Sequence, residues 1–366
     1  MKVMTILGTR PEIIRLSLII NKLDQLTEHT LVHTGQNYTP ELDTIFFQSM
    51  GIREPNVRFD SRSETPMGQI ARILESSERV LNEVKPDACL ILGDTNSGLS
   101  AIVAEKMGIP VFHMEAGNRC FDLRVPEERN RKLIDHVSTW LLPYVENSKQ
   151  NLLNEGINKE HIFVTGNPIF EVIEHYQSNI EASDILEQLK LNPKEYILVT
   201  AHRAENVDIP ERLGNIITAL NLLAEKYQLP IIWSFHPRTA SKVKEQKLEL
   251  HPLIRPLPPF NFFDFIKLER NAFCVITDSG TVQEEACIFG VSSITIRDTT
   301  ERPETVECGS NILTGCNPDH ILEGVKIAVG SPFSWQPPSE YLDPNVSDKV
   351  IRLILGNTRS RGVHSL

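Results

Sequence analysis

No run of apolar residues in this sequence reaches the roughly 18 that a membrane-spanning helix needs, so no span is expected. The apolar run inside the opening M-K-V-M-T-I-L-G-T-R-P is too short for a secretory signal and reads as a first strand. Basic residues are the minority: 37 Lys and Arg stand against 48 Asp and Glu, a net charge of −11. That balance argues against non-specific nucleic-acid binding, which needs a basic face, but leaves room for a basic pocket holding a small anion. The cysteines (Cys89, Cys120, Cys274, Cys287, Cys308 and Cys316) form no C-x-x-C pairs, and several lie in apolar runs. They read as buried thiols of a reducing cytoplasm, not as disulfides or metal ligands. Also missing are a fixed-period repeat, a low-complexity segment and a Gly/Ser-rich linker. No G-x-G-x-x-G follows the first strand, so a nicotinamide dinucleotide is not suggested.

What is present is an alternation of short apolar strands and amphipathic helices. At roughly 100–200 residues per domain, 366 residues suggest two domains. In the first half, strands are expected at Val3–Leu7, Thr30–His33, Ala88–Leu92, Ile109–Phe112 and His161–Val164. Helices are expected near Glu12–Asp24, Gly68–Val84, Ser100–Lys106 and Arg129–Ser138. The pattern then restarts with a helical stretch at Glu171–Leu189. Strands follow at Tyr196–Thr200, Pro230–Ser234, Phe273–Thr277 and Ser292–Ile296, with helices at Arg212–Lys226 and Val282–Phe289. Strand, helix, strand in this order means parallel sheets covered on both faces. The expected class is α/β, two doubly wound Rossmann-like domains facing a cleft. Domain limits of 1–167 and 168–346 are expected, with a terminal helix within 347–366 packing back on the first domain. In such sheets ligands lie beyond the carboxyl ends of the strands, so the motifs there carry the chemistry.

The densest of these is His113–Arg131, H-M-E-A-G-N-R-C-F-D-L-R-V-P-E-E-R-N-R, which follows an apolar run directly. Its charge argues against core, and it places Glu115, Glu127 and Glu128 where a reaction would occur; a solvated loop with surface ion pairs is the alternative. Gly8-Thr9-Arg10-Pro11-Glu12 is a tight turn with proline suited to the first helical position. Arg10 opposes the helix dipole there, and Arg15 follows about a turn later, which an anion in the groove would explain. Asp94 ends a fully apolar strand, as a functional carboxylate or as a helix N-cap. Asp278-Ser279-Gly280-Thr281 joins a strand to a helix whose free amides and dipole favour a phosphate, though a plain N-cap reads the same way. Glu284 and Glu285 lie a turn further in, within reach of ribose hydroxyls. His202 and His236 close two strands, with Arg203, Arg238, Arg297 and Arg302 beside them; that clustering of cations in an acidic protein again points to an anionic ligand.

Taken together and in order, G-T-R-P-E, G-D-T-N-S, H-M-E-A-G, P-E-E-R-N-R, G-N-P, A-H-R-x-E-N, D-S-G-T-V-Q-E-E and R-D-T-T-E-R-P-E closely resemble the non-hydrolysing UDP-N-acetylglucosamine 2-epimerase family, from about residue 2 to about 330. The resemblance implies a GT-B-like pair of domains and inversion at C2 of a UDP-linked 2-acetamido sugar without NAD, metal or other cofactor. The family's catalytic carboxylates fall on Asp94, Glu115 and Glu127, and its catalytic histidine on His202. Phosphate and uridine contacts fall on Arg10, Ser279, Gly280, Thr281 and Arg302, the ribose-binding acid on Glu285, and an aromatic near the base on Phe265. Arg15 and His236 are added as substrate-binding candidates from their position. A UDP-sugar is the expected partner and a homodimer the expected assembly.

The chain departs from the family pattern at three places. G-L-R-[ST]-G is here Gly117-Asn118-Arg119-Cys120-Phe121, and the second glycine of D-S-G-G is Thr281. The turn that helps bind a regulatory UDP-sugar in many bacterial members reads Gln36-Asn37-Tyr38-Thr39-Pro40, which puts that regulation in question. The N-R-C-F-D and T-G-Q-N-Y variants resemble the branch forming UDP-N-acetyl-L-fucosamine for surface polysaccharides, so a bias toward a 6-deoxy sugar is expected. The rival readings are a glycosyltransferase of the same fold, a hydrolysing 2-epimerase, and a nucleotide-sugar-binding module without activity.

Overall fold

The computed structural model describes residues 1–36, 46–330 and 334–357. Its contacts divide the chain into Met1–Glu174 with Ser339–Leu366, and His175–Pro338. Each unit is built on one six-stranded, all-parallel sheet.

In the first unit β1 (Lys2–Leu7), β2 (Glu28–His33), β3 (Val57–Arg58), β4 (Ala88–Leu92), β5 (Val111–Met114) and β6 (Trp140–Leu142) lie in the order β3-β2-β1-β4-β5-β6. The chain moves outward from β1 on one side and resumes at β4 on the other, so β1 and β4 flank the switch point where α/β sheets bind ligands. β4 is buried at every position, because helices cover both faces of a central parallel strand and leave no polar side. The Val346–Asn357 helix packs on the Arg10–Leu26 helix and buries Val346, Val350, Ile351 and Ile354. Its first turn is tied down by Ser347 N, which donates to Glu171 Oε2 at 2.7 Å, and by Lys22, which reaches Asp348 at 2.5 Å.

The second unit repeats the plan with β7 (Ile197–Thr200), β8 (Ile231–Ser234), β9 (Ile254–Leu257), β10 (Cys274–Thr277), β11 (Ser293–Thr295) and β12 (Asn311–Leu313). Their order is β12-β11-β10-β7-β8-β9, so the switch point lies between β7 and β10. Trp233 is fully buried among the aliphatic side chains on one face of this sheet. Among the described residues no helix is long and apolar enough to cross a membrane.

Several elements differ from expectation. The fourth strand expected in the first half starts and ends two residues later, at Val111–Met114, so His113 and Met114 belong to the sheet. The run at His161–Val164 makes only a single bridge, Ile162 to Leu141, and Trp140–Leu142 supplies the sixth strand instead. The stretch Glu171–Leu189 breaks into Ile169–His175, Gln177–Ala182 and Ile185–Gln188. β3, β9 and β12 were not foreseen. Four cysteines beside Cys120 are buried, Cys308 is half-buried, and all six are free thiols.

The first switch point is fastened by a buried carboxyl. Glu12 Oε2 accepts from the amides of Gly8 at 2.6 Å and Thr9 at 2.8 Å, and its Oε1 accepts from Thr95 Oγ1 at 2.7 Å. One side chain thus joins the turn after β1 to the turn after β4. Gly8 is needed there because a Cβ would meet Thr34 Oγ1 at 2.1 Å and Ser97 Oγ at 2.2 Å. Burial pushes the Glu12 carboxyl up to about 7 against these hydrogen bonds.

Two outcomes follow from this packing. Because the folded protein holds the Glu12 proton more tightly than the unfolded chain, the stability it lends is full below the ordinary carboxyl range and declines as pH rises through about 7. Chemical unfolding between about pH 5 and pH 8 should show wild type losing roughly 3 kcal/mol relative to Glu12→Gln; parallel curves would refute it. Val350→Asp should lower stability by roughly 3 kcal/mol or more, because it sets an unpaired carboxylate in the terminal helix's buried face. An unchanged melting temperature would show that this helix adds nothing to the first unit.

Candidate active site

The first unit gathers its acids at the ends of β4 and β5. These strands are neighbours, Leu92 lies opposite Met114, and Gly93 N donates to Met114 O at 3.0 Å. Asp94 therefore follows one strand and Glu115 the next, side by side along the sheet edge. Asp94 Oδ2 pairs with Arg131 Nη2 at 2.6 Å, and Arg131 Nη1 pairs with Glu128 Oε2 at 2.7 Å. Arg131 lies in the Pro126–Val137 helix, whose first turn carries Glu127. A single guanidinium thus binds the Asp94 turn to the helix that presents Glu127. Glu115 pairs with Arg15 Nη1 at 2.8 Å, across 100 residues of sequence. Arg15 also lies over the Tyr144 ring, 5.7 Å from its centroid. Arg10 is placed differently: its guanidinium stands 5.7 Å from the centre of the Phe46 ring.

Glu115 adopts φ of +66°, a left-handed conformation uncommon for a residue with a side chain. It is held there by its amide, which donates to Leu142 O at 3.1 Å, and by the Arg15 ion pair.

Behind these acids lies a buried network that the sequence did not announce. His113 sets Nε2 2.9 Å from Gly93 O and Nδ1 2.8 Å from Asp135 Oδ1. Asp135 Oδ2 also accepts from the Gly117 amide at 3.1 Å and from Arg119 Nη1 at 2.8 Å, and Arg119 then grips Glu155 through Nε and Nη2 at 2.9 and 2.6 Å. Burial alone would raise the Asp135 carboxyl, but the hydrogen bonds and charges of His113 and Arg119 outweigh it and hold it below the ordinary range. The network clamps the residue before Asp94 and the residue two after Glu115, which fixes both turns.

The charged stretch is therefore not a solvated loop: His113, Asn118, Arg119, Glu128 and Arg131 are buried, and each pairs with another group of the protein. Glu128 accepts the amides of Cys120 and Phe121, each at 3.1 Å. Burial favours its neutral form, yet these amides and Arg131 hold the carboxyl below its usual range. Glu128 is thus a loop anchor, while Glu127 beside it is half-exposed. Cys120 turns its thiol inward, 3.3 Å from Glu128 Oε2, and Phe121 is 71% exposed.

In the second unit the A-H-R turn after β7 meets the D-S-G-T turn after β10. Asp278 is fully buried and accepts from the amides of His202 and Arg203, each at 2.9 Å, and from Asn206 Nδ2 at 3.1 Å. It is the anchor of the His202 turn, while Ser279 occupies the N-cap position of the Gly280–Phe289 helix without a side-chain hydrogen bond to that helix's amides. The His202 side chain is half-exposed, its Nδ1 3.4 Å from Asp278 Oδ1, and its ring centre lies 6.1 Å from that of His236. His236 caps the Pro237–Glu245 helix through Nδ1, which accepts from the Arg238 amide at 3.2 Å. Ser279 Oγ and Thr281 Oγ1 stand 3.0 Å apart at the start of their helix, where backbone amides and the dipole favour an anion. Gly280 cannot carry a side chain, since a Cβ would meet Glu301 Oε1 at 2.6 Å.

The expected excess of cations is balanced by carboxylates within this unit. Arg203 and Arg297 pair with Glu301 at 3.5 and 2.8 Å, Arg238 pairs with Asp208, and buried Arg302 pairs with Glu284. Arg302 is nevertheless brought to the turn, its Cζ 3.7 Å from the point where a Gly280 Cβ would be. Glu285 is buried in the same helix as Glu284. Phe265 is half-buried on the Phe262–Asn271 helix, packed on the core face that includes Ala286 and Leu268. Asn37–Pro40, from the turn in question above, lie outside the described residues.

Chemically, the first unit offers three carboxyl groups with cations or amides steadying the turns that bear them, and the second offers a helix start whose dipole favours an anion, beside two imidazoles. A family model for UDP-N-acetylglucosamine 2-epimerase matches residues 21–355. The UDP-N-acetylglucosamine 2-epimerase of Methanocaldococcus jannaschii is 41% identical over 366 residues, covering 97% of this chain and 99% of that protein. The UDP-2,3-diacetamido-2,3-dideoxy-D-glucuronate 2-epimerase of Pseudomonas aeruginosa is 35% identical over 334 residues, 90% of this chain and 93% of that one. The crystal structure of the M. jannaschii enzyme in complex with UDP-GlcNAc and UDP superimposes with a TM-score of 0.92 over 98% of this chain and 100% of that one. Similarity of that extent spans both sheets, and the chain belongs to the UDP-N-acetylglucosamine 2-epimerase family of isomerases.

Proposed function

We propose that the protein inverts C2 of a UDP-linked 2-acetamido sugar by eliminating UDP and adding it back. The observation that carries this is the set of Asp94, Glu115 and Glu127 at one sheet end, in a chain whose family is shown. A C2–H is weakly acidic, so its removal needs a positioned base while the C1–O bond to UDP breaks. The electron pair left at C2 forms the C1=C2 bond of a 2-acetamidoglycal, and UDP departs with the bonding pair. Return of a proton to the opposite face of C2, with re-addition of UDP at C1, completes the inversion. Acids for both faces come from the first unit. In the second, Ser279, Gly280, Thr281 and Arg302 receive the diphosphate and Glu285 and Phe265 the nucleoside, while His202 and His236 attend the leaving oxygen; fixed donors there stabilise the developing negative charge. Arg15 holds Glu115 in place through their ion pair. A glycosyltransferase of this fold would have no use for acids serving both faces of the sugar.

For the sugar itself we propose a 6-deoxy hexose, as the N-R-C-F-D variant suggested. Of the two side chains behind that idea, Cys120 is turned toward Glu128 and only Phe121 offers an exposed apolar face. An apolar face accommodates a C6 methyl better than a hydroxyl that must keep its hydrogen bonds.

Turnover in deuterated water should place deuterium at C2 of the product, read by proton NMR; complete retention of the original hydrogen would exclude elimination. Asp94→Asn, Glu115→Gln and Glu127→Gln should each lower kcat by roughly a hundredfold or more, and any of them with full activity leaves the site. Specificity constants for UDP-N-acetylglucosamine and a UDP-2-acetamido-2,6-dideoxy-L-hexose should favour the latter. A clear preference for UDP-N-acetylglucosamine would remove the 6-deoxy assignment and leave the epimerase in place.

A further inference from the structure

The second unit buries a carboxyl that none of these roles uses. Glu269 lies on the Phe262–Asn271 helix with no exposed surface, and neither of its oxygens meets a donor at hydrogen-bonding geometry. An ionised carboxylate so placed would lose its hydration without replacement. The group against it is a second buried carboxyl, Glu285 of the Gly280–Phe289 helix. Burial first, and repulsion from Glu285 second, push the Glu269 carboxyl well above the ordinary range. Two like charges in a shared dry site are relieved by one proton between them.

We propose that Glu269 is a positioning residue: it stays a neutral acid and donates its O–H to Glu285, holding that carboxylate ionised and aimed at the ribose hydroxyls of the nucleotide. This rests on the nucleotide role given to Glu285 above. A carboxylate with one acceptor site filled by a fixed donor loses its freedom to swing, and its remaining lone pairs point one way. Phe265 stands one helical turn before Glu269, so the helix that carries the aromatic for the base also sets the acid for the ribose.

The other ionisable groups around this helix are engaged elsewhere. Tyr196, pushed up by burial and then by Glu269, donates to Leu268 O. Lys194 Nζ donates to the carbonyls of Arg270 and Ala272, and Glu284 pairs with Arg302. Glu181 accepts from Gln177, and Glu187 is exposed. On the helix itself, Asp264 accepts from Ser183, Lys267 donates to Glu181 O, and Arg270 donates to Gln177. Glu285 is left as the carboxyl that shares the proton.

The test measures UDP affinity by calorimetry, with kcat and KM, for wild type, Glu269→Leu, Glu269→Gln and Glu285→Gln from about pH 6 to about pH 9. Glu269→Leu should weaken UDP binding and raise KM about tenfold while changing kcat far less, the scale of one charge-assisted hydrogen bond. Glu269→Gln keeps an N–H for Glu285 and should restore most of that loss. Wild-type affinity should fall toward alkaline pH as the shared proton leaves, and the Gln variant should stay flat. Glu285→Gln with weakened UDP beside a normal Glu269→Leu would overturn the proposal alone. Normal UDP binding by Glu285→Gln would overturn the nucleotide role of Glu285 and the proposal with it. Should Glu269→Leu not fold, an alkaline loss in Glu269→Gln equal to that of wild type is the overturning result.

Discussion

The contacts of Asp135 are the interaction on which the acid-bearing turns of the first unit depend. Asp135 is a buried anion, and in a dry interior it persists only because His113, the Gly117 amide and Arg119 all point donors at it. Its partners are the residues that shape the two acid-bearing turns, so desolvation of this one carboxylate is offset by the contacts that place Asp94 and Glu115. Asp278 does the same for the second unit, gathering the amides of His202 and Arg203 under the start of the Gly280–Phe289 helix. In both units the groups proposed for the reaction keep some exposed surface, and the charge that orders them is enclosed.

This arrangement sets how much could be read from sequence. Central strands such as β4, β7 and β10 are buried at every position and almost wholly apolar because both faces are covered, and they stand out in the chain. β3 and β12 are edge strands of two and three residues, half open to solvent, with no apolar run to betray them. The strand-end acids and the D-S-G-T turn were legible because their chemistry is local: a carboxylate after a buried strand, a glycine where a helix opens. The burial of Arg119 was not, since its partners Asp135 and Glu155 lie 16 and 36 residues away. A charged segment and a buried, fully paired one look alike until the fold brings the partners. For the same reason Asp278 read as a plain cap, and Glu12 as part of a turn motif without a task of its own.

The cations of the second unit illustrate the converse. Read in a line, Arg203, Arg297 and Arg302 suggested surplus positive charge; folded, each faces a carboxylate, two of them the same Glu301. Under the proposed function, a diphosphate arriving there would compete with acids already in place. Part of its binding energy would then go into re-partnering side chains, which would tune affinity downward and ease release of a nucleotide that leaves and returns within one turnover.

The left-handed backbone of Glu115 has a consequence for how this protein can be improved or can drift. A side chain in that region stores on the order of 1 kcal/mol or more of conformational strain. Glycine would release it, since it adopts the same φ without steric conflict. It would also take the Glu115 carboxylate away from the buried Arg15 guanidinium, a loss larger than the strain relieved. The strained residue is therefore kept by the packing around it as well as by the role proposed for it.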